Sequence, residues 1–343
     1  MTVSWEGLRE AALRFWPTLV AGDVQAGRAL VIEQLNAGVP GSALITGLLV
    51  PAQRSAGLRW QAAQWTVADE HAATSVVDAA LATIEHSRAF PASDAVAWLA
   101  VCAETEWHTL PARFAMQLAR EGGANVRFLG ASVPADHLRE YLARQQPEGL
   151  LLSCTTPSAL AGAARSIAAA HDVGVPVMVG GAAFGDDDRR ARMLSADGWS
   201  ADAASMRTWH PRRTEARAGE RPRWDLFHAV QNSSAAAVSA AYERLFADTS
   251  PLGALTAPDL LRLRADLGDI VEILATSALV DDPRLTMRFV HWLDDVLRAR
   301  NATSRTAALC CEALAVELDA LHSADCAALL RRSAASIASR GIA

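Results

Sequence analysis

Cysteine is scarce in this chain: Cys102, Cys154, Cys310, Cys311 and Cys326 are the five among 343 residues, an odd number without a CxxC pair. A disulfide frame or a zinc cluster is therefore excluded as the organising element, and free thiols suit a reducing, cytoplasmic setting. Apolar runs of about eighteen residues are missing too, so no membrane span is expected. Between Met1 and Glu10 the chain carries acidic residues and a tryptophan, where a secretory leader would need a basic stretch and an apolar core. No block of like charge stands out at a net charge of −6. A nucleic-acid surface is not indicated, and the arginine-rich stretch 207–223, with Pro211 and Pro222, reads as a linker.

What is present is apolar and helical. Half of the chain is hydrophobic, much of it alanine, and the length suggests two or three domains. Residues 1–90 show three- and four-residue apolar spacing, with Leu8, Ala11, Ala12, Phe15 and Leu19 on one face. Helices are expected from that face, from Val24 to Asn36, from Ser42 to Leu58 and from Val67 to His86, a four-helix bundle. Residues 91–206 alternate short apolar runs, Val96 to Cys102, Val126 to Leu129, Gly149 to Ser153, Val175 to Val179 and a weak fifth near Gly198 to Ala204, with helix-length segments. That alternation predicts a parallel, flavodoxin-like sheet. Residues 224–343 return to helical spacing in five segments, broken at Ser250–Gly253 and Asp281–Pro283, about the size of a globin-like unit. The fold class expected is thus α/β plus all-α.

The candidate chemistry falls at the carboxyl ends of the strands, where ligands bind in such sheets. Glu106-Trp107-His108, Ser153-Cys154-Thr155 and Gly180-Gly181 stand there in order. Imidazole is a good ligand for a borderline transition metal, and a carboxylate two residues away can hold its other ring nitrogen. Glycines let a ligand approach the backbone closely, and the serine hydroxyl both donates and accepts. Upstream, Trp60 is followed after nine residues by Glu70-His71, behind Thr66 as a candidate N-cap. An indole offers a flat face to a purine. Trp65 reads as a core residue.

The pattern Glu106-x-His108, Ser153-x-Thr155 and Gly180-Gly181 resembles the cobalamin-binding domain with Asp/Glu-x-His-x-x-Gly, Ser-x-Leu/Thr and Gly-Gly motifs. Pro111 stands here at the last position of the first motif. The resemblance implies His108 as lower ligand to cobalt, with a slot for the nucleotide tail lined by Ser153, Thr155, Gly180 and Gly181, and Trp107 beside the corrin. Trp60 with Glu70-His71 is similar to the cap of CarH-type light-sensing repressors. There such residues surround the 5′-deoxyadenosyl group of adenosylcobalamin.

Cap, cobalamin domain and a helical C-terminal domain, without a DNA-binding module, together resemble the photocobilins. That resemblance implies a light sensor that holds adenosylcobalamin and a bilin such as biliverdin, with a homo-oligomer or a downstream signalling protein as partner and no DNA contact. For the bilin, His228, Arg288, His291, Asp294 and Asp295 offer cations and hydrogen bonds, and Cys310 or Cys311 a thioether. The alternative is a corrinoid protein that carries a methyl group in a methyltransferase system. A third reading, an interaction protein without cobalamin, holds only if no corrinoid binds.

Overall fold

The computed structural model describes residues 5–87, 97–201, 220–247, 257–302, 305–321 and 323–340. Five short strands, β1 (Trp98–Cys102), β2 (Val126–Phe128), β3 (Gly149–Ser153), β4 (Val177–Gly180) and β5 (Gly198–Ser200), form one parallel sheet in the spatial order 2-1-3-4-5. This is the flavodoxin-like order, in which the crevice beyond the strand ends collects ligands. Every residue of β1 and β3 is buried. Continuous apolar runs such as Leu150-Leu151-Leu152 therefore suit central strands covered on both faces. The register sets Ser153 beside Gly180 and Gly180 beside Ser200, so the carboxyl ends of three neighbouring strands carry small residues in one row. The fifth strand ends at Ser200; Val96 and the rest of the 198–204 stretch beyond 201 lie outside the described residues, as do 207–219 of the expected linker and the break at 250–253.

Helices α1 (Trp5–Ala21), α2 (Val24–Asn36), α3 (Gly41–Leu44), α4 (Val50–Gln61) and α5 (Val67–His86) precede the sheet. The expected helix from Ser42 to Leu58 is not one regular helix. Its middle, Ile45–Leu49, is a π turn in which the Val50 amide donates to the Ile45 carbonyl. Pro51 supplies the reason: it has no N–H to donate, and its ring would strike the carbonyl one turn back, so the ladder widens there. Thr66 caps α5 in a capping box with Asp69, worth about 1 kcal/mol. Phe15, Leu19, Leu44, Leu49 and Leu81 fill the core of these helices, each burying roughly 2 kcal/mol of apolar side chain. Trp65 packs against that core and stacks on Trp16 with ring centroids 5.6 Å apart.

The same core is completed by Leu110, Phe114 and Leu118 of α6 (Thr109–Glu121), the helix that follows β1. Arg113 of α6 pairs with Glu85 and Asp78 of α5, and Glu121 accepts the Ser42 amide at 2.9 Å. Helices α7 (Ala135–Gln145), α8 (Leu160–Asp172) and α9 (Arg189–Met193) complete the alternation. The first unit thus joins N-terminal helices and sheet, and a second unit holds α10 (Trp224–Ala247), α11 (Ala257–Leu279), α12 (Arg284–Ala299), α13 (Thr306–Ala320) and α14 (Ala324–Arg340). Leu267, Ile270, Leu274, Val290, Leu314 and Leu330 lie in its core, together with Cys310 and Cys311. Among the described residues no helix is long and apolar enough to cross a membrane.

Candidate functional site

Beyond the end of β1 the chain turns sharply through Thr105, whose φ is +70°, and Glu106 swings under the sheet edge, fully buried. One Glu106 oxygen, Oε1, accepts the His108 amide at 2.8 Å and His108 Nδ1 at 2.6 Å. The other, Oε2, accepts the amides of Thr155 and Thr156 at 2.6 and 2.8 Å and the Thr156 hydroxyl at 3.1 Å. A single carboxylate thus ties the loop after β1 to the loop after β3. Burial pushes its pKa up, but the bonds from His108, Thr156 and Thr155 outweigh that and hold it at about 2. An ionised carboxylate only accepts, so in the neutral imidazole Nδ1 carries the proton and Nε2 is left bare.

His108 is the N-cap residue of α6, and its side chain is 60% exposed. The imidazole therefore presents a lone pair outward, in a fixed tautomer, from a rigid loop. Glu106 raises its pKa against the pull of burial, with a smaller contribution from the charge of Glu70. Among the described residues no three His, Cys, Asp or Glu side chains gather to hold a metal. A metal on His108 would have to bring its remaining ligands with it, as a macrocycle does.

A cavity of about 590 Å³ opens between α6, the sheet and the α4 end of the N-terminal helices. Ser153, Thr155, Gly180 and Gly181 line it, as expected from sequence, and Ser200 and Gln53 join them unannounced by any motif. Thr155 Oγ1 and Gln53 Oε1 are buried there without a hydrogen-bond partner. Such atoms cost free energy until a ligand satisfies them. Pro111, in the first turn of α6, also lines the cavity; the missing N–H is harmless there because no helical carbonyl awaits it. Gly181 has φ +105°, and a Cβ on it would lie 2.2 Å from the Cys154 carbonyl oxygen. Gly181→Ala should therefore cost about 3 kcal/mol, read as a lowered urea midpoint of the ligand-free protein; an unchanged midpoint would show that the turn can rearrange.

On the N-terminal helices, Glu70 Oε1 accepts Thr74 Oγ1 at 2.7 Å and Gln53 Nε2 at 3.2 Å, while Oε2 meets His71 Nδ1 at 2.9 Å. Gln53, Gly57 and Trp60 follow one another at four- and three-residue steps along α4, which puts them on one face. A Cβ on Gly57 would meet nothing within 4 Å. Trp60 is half-buried and outside the lining of the cavity, and Trp107 is exposed beside His108.

The residues expected to hold a bilin are spread out. His228 stacks on Trp224 in α10, whereas Arg288, His291 and Asp294 stand on α12. Asp294 is buried and pairs with Arg298, and His291 bonds Ser336 at 2.9 Å. Asp295 pairs with Arg340. Cys310 and Cys311 are fully buried, and burial raises both thiols, Cys311 to about 12. Thioether formation is disfavoured at such thiols. A cavity of about 470 Å³ in this unit is lined instead by Arg223, Arg332, Leu274 and the half-buried Cys326.

Residues 97–206 match the family model of the B12 binding domain, and residues 13–85 match a second model of the same description. These two matches support cobalamin binding. No curated protein matches the chain. Among solved structures, the chain is similar to the monomethylamine corrinoid protein of Methanosarcina barkeri, at 22% identity and a TM-score of 0.49, over 58% of this chain and 96% of that one. It is also similar to the methanol:cobalamin methyltransferase complex of the same organism, at 16% and 0.30, over 59% and 80%. A cobalamin-binding protein from Desulfitobacterium hafniense aligns at 20% and 0.30, over 57% and 93%.

Proposed function

We propose that this chain binds a cobalamin with His108 as the lower ligand to cobalt and uses the N-terminal helices as a cap over the upper face, in the manner of an adenosylcobalamin light sensor. The observation that carries the cobalamin site is the Glu106 clamp, which leaves Nε2 of the neutral, exposed imidazole bare, one turn of α6 before Pro111 in the cavity lining. The slot between α6 and the sheet, floored by Ser153, Gly180 and Ser200, would take the nucleotide tail. Bound adenosylcobalamin supplies a cobalt–carbon bond that visible light breaks.

The chain's own part is to hold the upper group by contacts that disappear with it. Glu70, His71 and Gln53 are joined by hydrogen bonds into a polar group on the N-terminal helices. Such a polar group suits a nucleoside, whereas a methyl ligand would leave it unmatched. Loss of the upper group then shifts the cap only by the differential affinity it had provided.

The second reading, a carrier of methyl groups between methyltransferases, shares the same lower ligand; the openness of His108 and Trp107 suits a cobalt that partner proteins must reach. Binding selectivity and illumination separate the two. The sensor reading expects adenosylcobalamin to be held more tightly than methylcobalamin in the dark. It also expects green light to change the spectrum within seconds and to alter the elution volume. Preference for methylcobalamin, with unchanged elution after light, would replace it with the carrier. Biliverdin offered in the same experiment adds a red band if the C-terminal unit takes a bilin; in that unit Arg332 and Arg223, the latter paired with Asp281 at 2.9 Å, line the cavity as cations for its propionates.

A further inference from the structure

We infer that Gln53 is a cofactor-positioning residue: its side-chain carbonyl accepts a hydrogen bond from an N–H or O–H donor of the bound corrinoid. The inference rests on the cobalamin reading above and concerns a residue outside both motifs.

The amide's orientation is fixed by chemistry. Nε2 lies 2.7 Å from Thr74 Oγ1 and 3.2 Å from Glu70 Oε1. Thr74 donates its own hydroxyl proton to Glu70 at 2.7 Å, so it has only a lone pair left for Gln53. A carboxylate offers lone pairs only. Both neighbours demand a donor, so the carbonyl end must turn the other way. There Oε1 is buried and has no partner, on a residue that lines the cavity. Burying an acceptor without a donor is unfavourable, and three side chains cooperate to hold it so. The donor it lacks is therefore supplied by what enters the cavity. Two parts of the corrinoid have the right chemistry: the amide side chains of the ring, and the hydroxyl and amino groups of an adenosyl ligand.

Gln53→Met keeps the length of the side chain and removes the acceptor together with the Nε2 donor to Thr74 and Glu70, a loss for which Thr74→Val serves as the control. Affinities of wild type, Gln53→Met and Thr74→Val for adenosyl-, methyl- and hydroxocobalamin are measured by titration in the dark, with melting of each ligand-free protein. Gln53→Met is expected to weaken binding about three- to tenfold, the size of one hydrogen bond, while lowering the ligand-free melting temperature no further than Thr74→Val does. Thr74→Val, which keeps Oε1, is expected to bind nearly as wild type. Loss confined to adenosylcobalamin assigns the donor to the adenosyl group; equal loss for all three assigns it to a ring amide. Wild-type affinity of Gln53→Met for all three overturns the inference, and so does a parallel loss of melting temperature and affinity in both variants, which marks the network as scaffold. If wild type binds none of the three, it is the cobalamin reading itself that fails.

Discussion

Glu106→Ala is expected to destabilise the ligand-free protein by roughly 3 kcal/mol at neutral pH and to weaken cobalamin binding ten- to hundredfold. The carboxylate accepts from the His108 amide and ring, the Thr155 amide, and the Thr156 amide and hydroxyl, and it is fully buried. Removing it strands three backbone donors that belong to two different loops. The Nδ1 proton of His108 loses its anchor as well. The pH dependence has a definite sign. The folded carboxyl titrates at about 2, below its ordinary 4.5. A depressed carboxylate pKa stabilises the fold above the ordinary value, and that stabilisation, roughly 3 kcal/mol by linkage, drains away as pH falls from 4.5 through 2. Urea unfolding of wild type and Glu106→Ala at pH 7 and at pH 3 measures this: the gap between them should narrow on acidification. A gap that stays constant would show that the carboxylate's charge is not what the loops depend on.

His108→Ala is expected to separate binding from folding. The side chain is 60% exposed, and only its ring contact with Glu106 is lost, since the backbone amide still donates. The ligand-free melting temperature should therefore move by no more than a few degrees. Cobalamin affinity should fall at least as far as loss of an outer partner costs, ten- to hundredfold, and the bound spectrum should be that of cobalamin without a nitrogen lower ligand. Wild-type spectrum should be lost similarly on acidification, because ligation needs the neutral imidazole. A variant that retains the wild-type spectrum would leave His108 as a loop residue only.

The sheet and the small residues at its strand ends were legible because their signals are local. Leu150-Leu151-Leu152-Ser153 states in four residues that a strand is buried and where it meets the ligand side, and Gly181 is needed for a backbone that few other residues adopt. Glu106 and His108 are two apart, so their partnership could be read from spacing. The same carboxylate's hold on Thr155 and Thr156 spans about fifty positions and shows only in the fold. Ser200 enters the slot through strand register, and Gln53 through the packing of α4 on α5, neither of which leaves a periodic mark. The π turn was missed because the apolar spacing runs on across Pro51. In the C-terminal unit, charge and histidine along α12 suggested a ligand face; the fold adds that Asp294 is buried in a pair with Arg298 and that the cavity of this unit is lined by other residues.

The central claim, an imidazole nitrogen of His108 on cobalt, is tested most directly by electron paramagnetic resonance of the protein loaded with cobalamin and reduced to cobalt(II). The expected spectrum shows each cobalt line split into a triplet by one axial ¹⁴N nucleus, and growth with ¹⁵N-histidine turns every triplet into a doublet. His108→Ala abolishes the label's effect. Triplets that survive histidine labelling would mean that an unlabelled nitrogen such as the cofactor's own base occupies the lower face, and unsplit lines that no nitrogen does; either would contradict the account of this site.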